Sequence, residues 1–177
     1  ENGNLTVDFG FTTQDIPLSL GNRVWIDTDN SGTINGAEVG VDGVTVELYQ
    51  DSNADGVPDG LAIATTTTSG GGYYLFDDLD AGTYVVGIAP VNFQAGGPLV
   101  GYRSSSGPGQ EANPNDDGDS NDNGIDAVQP DVTGVLSGPV ALSPNGEPPG
   151  ETDLGPQGSG IATDVNSNLT VDFGFFQ

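Results

Sequence analysis

A chain of 177 residues with 29 Gly and 12 Pro, and with no apolar run at helical spacing, excludes a helical architecture and leaves room for one large β domain or a small domain plus part of a neighbour. Its 26 acids face two bases, Arg23 and Arg103, and a net charge of −24 excludes nucleic acid and anionic membrane as partners and resists compaction unless cations neutralise it. Without Cys or His the chain lacks disulfides, thiolate chemistry, the commonest general base and the commonest transition-metal ligand, so the hard oxygen ligands that remain suit calcium.

In chain order, the first element is Asn4 to Phe11, NLTVDFGF, with Leu5, Val7, Phe9 and Phe11 on one face and Thr6 and Asp8 on the other. That alternation is the pattern of a half-buried strand. The same eight residues return at Asn168 to Phe175, 164 positions later. Internal identity at fixed spacing is the mark of a tandem array. On that reading residues 1–13 are the closing strand of a preceding repeat and 14–177 are one further repeat. The repeat divides into a core at 18–90, an Asp-rich extension at 91–166 and a closing strand at 167–176. The alternative is strand addition, in which one copy completes the sheet of a neighbouring subunit.

Further strands are predicted at Leu18 to Ile26, Gly43 to Tyr49, Ile63 to Thr68, Tyr73 to Phe76 and Thr83 to Ile88, the last two joined by the turn DDLDAG. Beyond Pro90, short strands are predicted at Pro98 to Tyr102, Val132 to Leu136 and Pro139 to Leu142. Short strands with turn signals about every ten residues predict a β-sandwich.

Three oxygen-rich runs stand between these strands. In Asp27-Thr-Asp29-Asn-Ser31-Gly32-Thr33-Ile-Asn35-Gly-Ala-Glu38, oxygen side chains fall at positions 1, 3 and 5, Gly at 6, a carbonyl at 7 and Glu at 12, the pattern of a twelve-residue calcium loop. Alternate side chains of a curled loop converge on one point, Gly32 permits the sharp turn, and Glu38 closes the shell. The loop follows a strand, so no helix–loop–helix hand is expected. The second run, Asp51, Asn53, Asp55, Gly56, Val57 and Asp59, repeats the spacing without the distal Glu. Asp77 and Asp78 are candidates to close it. The third run places Asp117, Asp119, Asn121 and Asn123 at similar spacing. Acidic turns without an ion remain the alternative at all three. Trp25 is expected in the core or as a loop lid.

The segments LGNRVWIDTDNSGTINGAEVGVDGVTVELY and YYLFDDLDAGTYVV resemble the B-type repeat of serine–aspartate repeat surface adhesins, a family related to the collagen-adhesin B-type fold. The resemblance is close over Leu18 to about Ala89 and looser through GYRSSS, the Asp-rich loop and the closing DFGF strand. It implies a transthyretin-like or reverse-immunoglobulin β-sandwich, Ca2+ in the loop matching Asp27 to Glu38, and a role as stalk or spacer in an extracellular cell-surface protein or secreted fibre. Related collagen-adhesin domains often crosslink a Lys to an Asn. This chain has no Lys, so calcium is left to do the stiffening.

The expected function is therefore a calcium-stabilised structural repeat, working as rigid spacer or fibre subunit in adhesion. Its expected partners are identical repeats or subunits end to end, and a host or matrix ligand. No membrane insertion is expected in this segment, and any export or anchoring signal is expected outside it. The alternative is a calcium-dependent carbohydrate- or protein-binding module, for which Phe93 and Tyr102 are the loop aromatics. An enzyme is not expected, because the acids sit in metal-type loops and no hydrophobic acid pocket is legible.

Overall fold

The computed structural model describes residues 15–111, 113–115 and 119–177. The first copy of NLTVDFGF, the boundary at residue 13 and Asp117 lie outside the described residues.

The run predicted as one strand at 18–26 is two, β1 (Leu18–Leu20) and β2 (Val24–Ile26). The ladder changes partner between them: Gly21 N–H donates to Asn168 O at 3.0 Å, Asn22 N–H to Val171 O at 2.9 Å and Val24 N–H to Gly72 O at 2.8 Å. β3 (Thr45–Gln50) and β4 (Ala64–Thr67) match the pattern, with Val46 and Leu48 buried and Thr45 and Glu47 half-buried between them.

The next strand lies later than predicted. β5 is Phe76–Leu79, so Asp77 and Asp78 belong to the strand and the turn to β6 (Gly82–Ile88) shrinks to Asp80 and Ala81. Pairing with β1 decides this: Leu20 faces Phe76 and Leu18 faces Leu79, with an irregularity between them that Asp78 absorbs at φ 57°. Non-local pairing overrides the local turn propensity of Asp-Asp.

Pro98–Tyr102 is not a strand. A 3₁₀ turn at Pro90–Phe93 is followed by turns in which Leu99 N–H donates to Asn92 O at 2.9 Å and Tyr102 N–H to Leu99 O at 3.0 Å. Pro98 has no N–H to give a ladder. Two strands of two residues each, β7 (Arg103–Ser104) and β8 (Gly124–Ile125), are too short to show a period in the sequence. The strand predicted at 132–136 begins as a helical turn, Pro130–Thr133, with Pro at the first helical position, and becomes β9 (Val135–Ser137). β10 (Val140–Leu142), β11 (Ser167–Asn168) and β12 (Phe173–Phe176) complete the chain.

One layer is a sheet in the order β4-β3-β6-β9-β8, with β10 also paired to β6. The other is split into β11-β1-β5 and β2-β12-β7. The core between them takes Leu18, Leu20, Val24, Phe173 and Phe175 from one layer and Val46, Leu48, Val86 and Ile88 from the other, all fully buried. This is an all-β sandwich, as expected.

The closing segment runs parallel to the opening one. Ser19 faces Ser167, and Val24, Trp25 and Ile26 face Phe173, Gly174 and Phe175. Parallel first and last strands place the start of β1 at one pole of the sandwich and the end of β12 at the opposite pole.

Candidate metal loops

The Asp27 loop leaves the end of β2 and is wound around one buried carboxylate. Asp27 Oδ1 accepts Ser31 N–H at 3.0 Å, Oδ2 accepts Gly32 N–H at 2.8 Å, and Ser105 Oγ also donates to Oδ2. Asn30 and Gly32 take positive φ of 53° and 79° to aim those amides inward. A Cβ on Gly32 would stand 2.4 Å from Gln110 N, so glycine is required there for space as well as conformation.

Asp29 lies above this cradle, exposed, and hydrogen bonds from Ser31 and Asn35 hold its carboxyl below the usual range. Glu38 returns from the far end of the loop: Oε1 accepts Thr28 N–H at 2.7 Å and Oε2 accepts Asn35 N–H at 3.0 Å. Ser31 Oγ lies 3.1 Å from Thr33 O.

Carboxylate oxygens of Asp27, Asp29 and Glu38 all lie within 4.8 Å of one another, and among the described residues this is the group of three acids that closes so tightly. Oxygens on opposite sides of a calcium ion, each about 2.4 Å from it, are about 4.8 Å apart. Three like charges at that separation repel unless a cation lies between them. The residues present therefore fit a divalent cation: Asp27, Asp29 and Glu38 with Ser31 Oγ and Thr33 O would hold it, and it would supply charge neutralisation.

The Asp51 loop has the same internal design. Asp51 is buried, Oδ1 accepts Asp55 N–H at 3.2 Å, Oδ2 accepts Gly56 N–H at 2.9 Å, and Ala54 and Gly56 take φ of 55° and 77°. Asp55 accepts Val57 N–H at 2.9 Å and Asn53 Nδ2 at 2.9 Å. Asp59 turns back to accept Ser52 N–H at 2.7 Å. The Asp77 carboxylate lies elsewhere: it accepts Ile161 N–H at 3.0 Å and Asp78 N–H at 3.0 Å.

The third run packs onto the first. Thr33 bridges Asn121, Ile34 N–H donates to Ser120 O at 2.9 Å, and Asp122 N–H to Gly32 O at 2.9 Å. Asp119 turns away, its Oδ2 accepting the N–H groups of Thr152 and Asp153 at 3.0 Å each. Asn123 spans the layers, taking Asp172 N–H at 2.8 Å and giving Nδ2 to Glu111 O at 2.9 Å.

Three participants were not legible in the sequence. Ser105, Asp122 and Asp172 are all buried. Alternation places Thr170 and Asp172 on an outer face of the closing strand, yet both are 1% exposed because Pro114, Ser120 and Asn123 cover that face. Burial drives the Asp122 and Asp172 carboxyls well above their ordinary value, against the N–H groups donated to them. The loop aromatics expected for ligand binding are differently placed: Phe93 is 6% exposed and stacks edge-on against Phe175 at 5.5 Å, and Tyr102 packs against the core. No aromatic platform stands there. Trp25 is wholly buried.

Comparison with known proteins bears on the same segment. Residues 18–105 match the SdrD B-like domain family. The chain is similar to the serine-aspartate repeat-containing protein I of Staphylococcus saprophyticus, 45% identical over 83 residues, which are 47% of this chain and 4% of that protein. It is similar to the fibrinogen-binding protein of Staphylococcus epidermidis, 40% identical over 83 residues, 47% of this chain and 7% of that protein. Similarity to the serine-aspartate repeat-containing protein D of Staphylococcus aureus (strain Newman) extends over 133 residues at 33% identity, 75% of this chain and 8% of that protein. The chain thus spans less than a tenth of each relative's length. Among the described residues no helix is long and apolar enough to cross a membrane. The segment at 18–105, which carries the Asp27 and Asp51 loops, is an SdrD B-like domain, the B-type repeat of serine–aspartate repeat adhesins.

Proposed function

We propose that the protein is a calcium-stiffened structural repeat of an extracellular surface protein, working as a rigid spacer and not as an enzyme. The observation that carries this reading is the parallel pairing of β1 with β11 and β2 with β12, which makes the chain enter at one pole and leave at the other. Copies joined in series then extend a rod instead of folding back. The loops of Asp27 and Asp51 supply the second half of the reading. Each is a backbone nest closed on a buried carboxylate, and a cation among the acids converts mutual repulsion into a joint.

Extracellular calcium modules bind at about 10⁻⁴ to 10⁻³ M, so millimolar calcium outside a cell fills such a site. In millimolar calcium, about ten times a dissociation constant of 10⁻⁴ M, one ion adds about 1.4 kcal/mol, which for a domain of this size raises the melting temperature by about 3–6 °C. Calorimetry of the 177-residue chain in EDTA and in millimolar calcium tests this. A rise of that order supports the reading, and identical melting curves overturn its calcium half.

A further inference from the structure

We propose that Asn35 is a site of spontaneous deamidation, which turns a hydrogen-bond donor beside Asp29 into a fourth carboxylate of the Asp27 loop. The site is argued from the geometry of the loop alone, and its effect on the ion rests on the calcium reading of that loop.

Asparagine is a thermolabile residue, and a following glycine exposes it most, because no Cβ shields the amide nitrogen that attacks. The backbone nitrogen of Gly36 bonds to Cγ of Asn35, the Cγ–Nδ2 bond breaks, and Nδ2 leaves as ammonia with the proton of the glycine amide. Water then opens the cyclic imide at one of its two carbonyls. Opening at Cγ gives aspartate, and opening at the backbone carbonyl gives isoaspartate. Either product carries a negative charge where the asparagine carried none.

The chain has Asn-Gly steps at 2–3, 35–36, 123–124 and 145–146, the first of which lies outside the described residues. Asn123 is wholly buried, and Gly124 lies in β8 with its N–H on Asp122 Oδ1 at 3.1 Å. Asn145 is exposed but pinned. Its N–H donates to Asn166 Oδ1 at 2.7 Å, and the N–H of Gly146, the nucleophile there, donates to Ser143 O at 3.0 Å. Asn35 and Gly36 are both exposed, and the Gly36 N–H meets no acceptor among the described residues. Nothing lies within 4 Å of the place a Cβ on Gly36 would take. Among the described Asn-Gly steps, 35–36 is the one that joins an unengaged nucleophile to open space for the ring.

The neighbours of Asn35 give the reaction its consequence. Nδ2 donates to Ser31 Oγ at 2.9 Å and to Asp29 Oδ2 at 3.3 Å. In the aspartate product an oxygen takes the place of that nitrogen, so a donor to Asp29 becomes a second anion against it. Without an ion the two carboxylates repel. With a calcium ion between them the added charge strengthens the site, since ligand charge count tunes the affinity of such loops. The aged loop is thus less stable when empty and tighter when filled.

The test holds the 177-residue chain in EDTA at pH 8 and follows the amide-to-acid mass gain at each Asn-Gly step by peptide mapping. Asn35 is expected to convert several-fold faster than Asn123 and Asn145, and Gly36→Ala to slow it several-fold. Asn35→Asp, which carries the charge of the product, is titrated with calcium beside the parent. It is expected to bind calcium about tenfold tighter and to melt at a lower temperature in EDTA. Conversion at Asn123 or Asn145 that matches or outruns Asn35 overturns the site. An Asn35→Asp chain that binds calcium no tighter than its parent overturns the effect on the loop. A parent that binds no calcium overturns the calcium reading of the loop and leaves the deamidation site in place.

Discussion

Asp122 and Asp172 lie side by side in a parallel bridge, both buried, and each carboxylate is met by backbone N–H groups: Gly174 at 2.9 Å and Gly124 at 3.1 Å on Asp122, Arg23 at 2.8 Å and Ser120 at 3.1 Å on Asp172. Burial raises both well above the ordinary carboxylate value of 3.8, so folding takes up protons at these sites. Their contribution to stability is fully present below 3.8 and is lost as pH rises through the raised folded values. In EDTA the melting temperature should therefore be higher at mildly acid pH than at pH 8, helped by partial discharge of the surface. In calcium the trend should weaken or reverse, because ligand carboxylates must be ionised to hold the ion. Calorimetric pH series in the two buffers check this, and a melting temperature in EDTA that falls steadily with acidification contradicts it.

The Asp27 loop separates a structural carboxylate from an exposed one. Asp27→Ala removes the acceptor of three hydrogen bonds from a buried site and should cost about 2–4 kcal/mol in EDTA, and more in calcium because a ligand of the ion is lost as well. Asp29→Asn, at an exposed position, should leave the melting temperature in EDTA nearly unchanged and reduce the rise that calcium produces. Melting curves of both variants in both buffers distinguish the two effects.

Gly40 pairs with Trp25 where the chain returns from the Asp27 loop, and a Cβ there would stand 1.7 Å from the carbonyl oxygen of Gly71. Neither backbone can move without breaking the ladder on β2. Gly40→Ala should cost about 3 kcal/mol or prevent folding, whereas Gly60→Ala, with open space around it, should be neutral or slightly stabilising. Urea titrations measure both.

Arg23 ties three segments together. Nη1 bonds Asp153 at 2.8 Å, Nε bonds Gly71 O at 3.0 Å, and the guanidinium stacks over Tyr73 at 4.7 Å. Tyr73 also donates to Asp153, and burial first, then that bond, pushes its hydroxyl up to about 12. The pair is partly exposed, so Arg23→Ala should cost about 1–3 kcal/mol. Lysine should recover little, because it cannot stack and fork at once. Denaturant midpoints of the two variants check the difference.

Phe175 is fully buried against Phe93, and Leu61 is 92% exposed. Phe175→Ala should cost about 3–5 kcal/mol and Leu61→Ala less than about 0.5 kcal/mol. Near-equal losses in chemical denaturation would mean that the core is not where the sandwich places it.

Much of the fold is readable where period and turn chemistry agree. β3, β4 and β6 fall where alternation places them, and the Asp27 loop can be written from its spacing alone. Local pattern fails where a distant partner decides. β5 lies on an Asp-Asp pair because β1 fixes its register. Pro98–Tyr102 stays a turn because its amides find Asn92 and Leu99. Composition groups Asp77 with the second loop, yet its carboxylate bonds the N–H of Ile161.

The order of residues by itself determined the all-β class, the repetition of NLTVDFGF and the oxygen-rich loops, because each is a local pattern of side-chain period, turn residues or spacing. Tertiary structure alone decided that Thr33 meets Asn121, that Ser105 reaches Asp27, and that Asp172 is buried instead of facing water. It also set the closing segment parallel to the opening one. These are contacts between segments far apart in the chain, and no local period encodes which of them will meet.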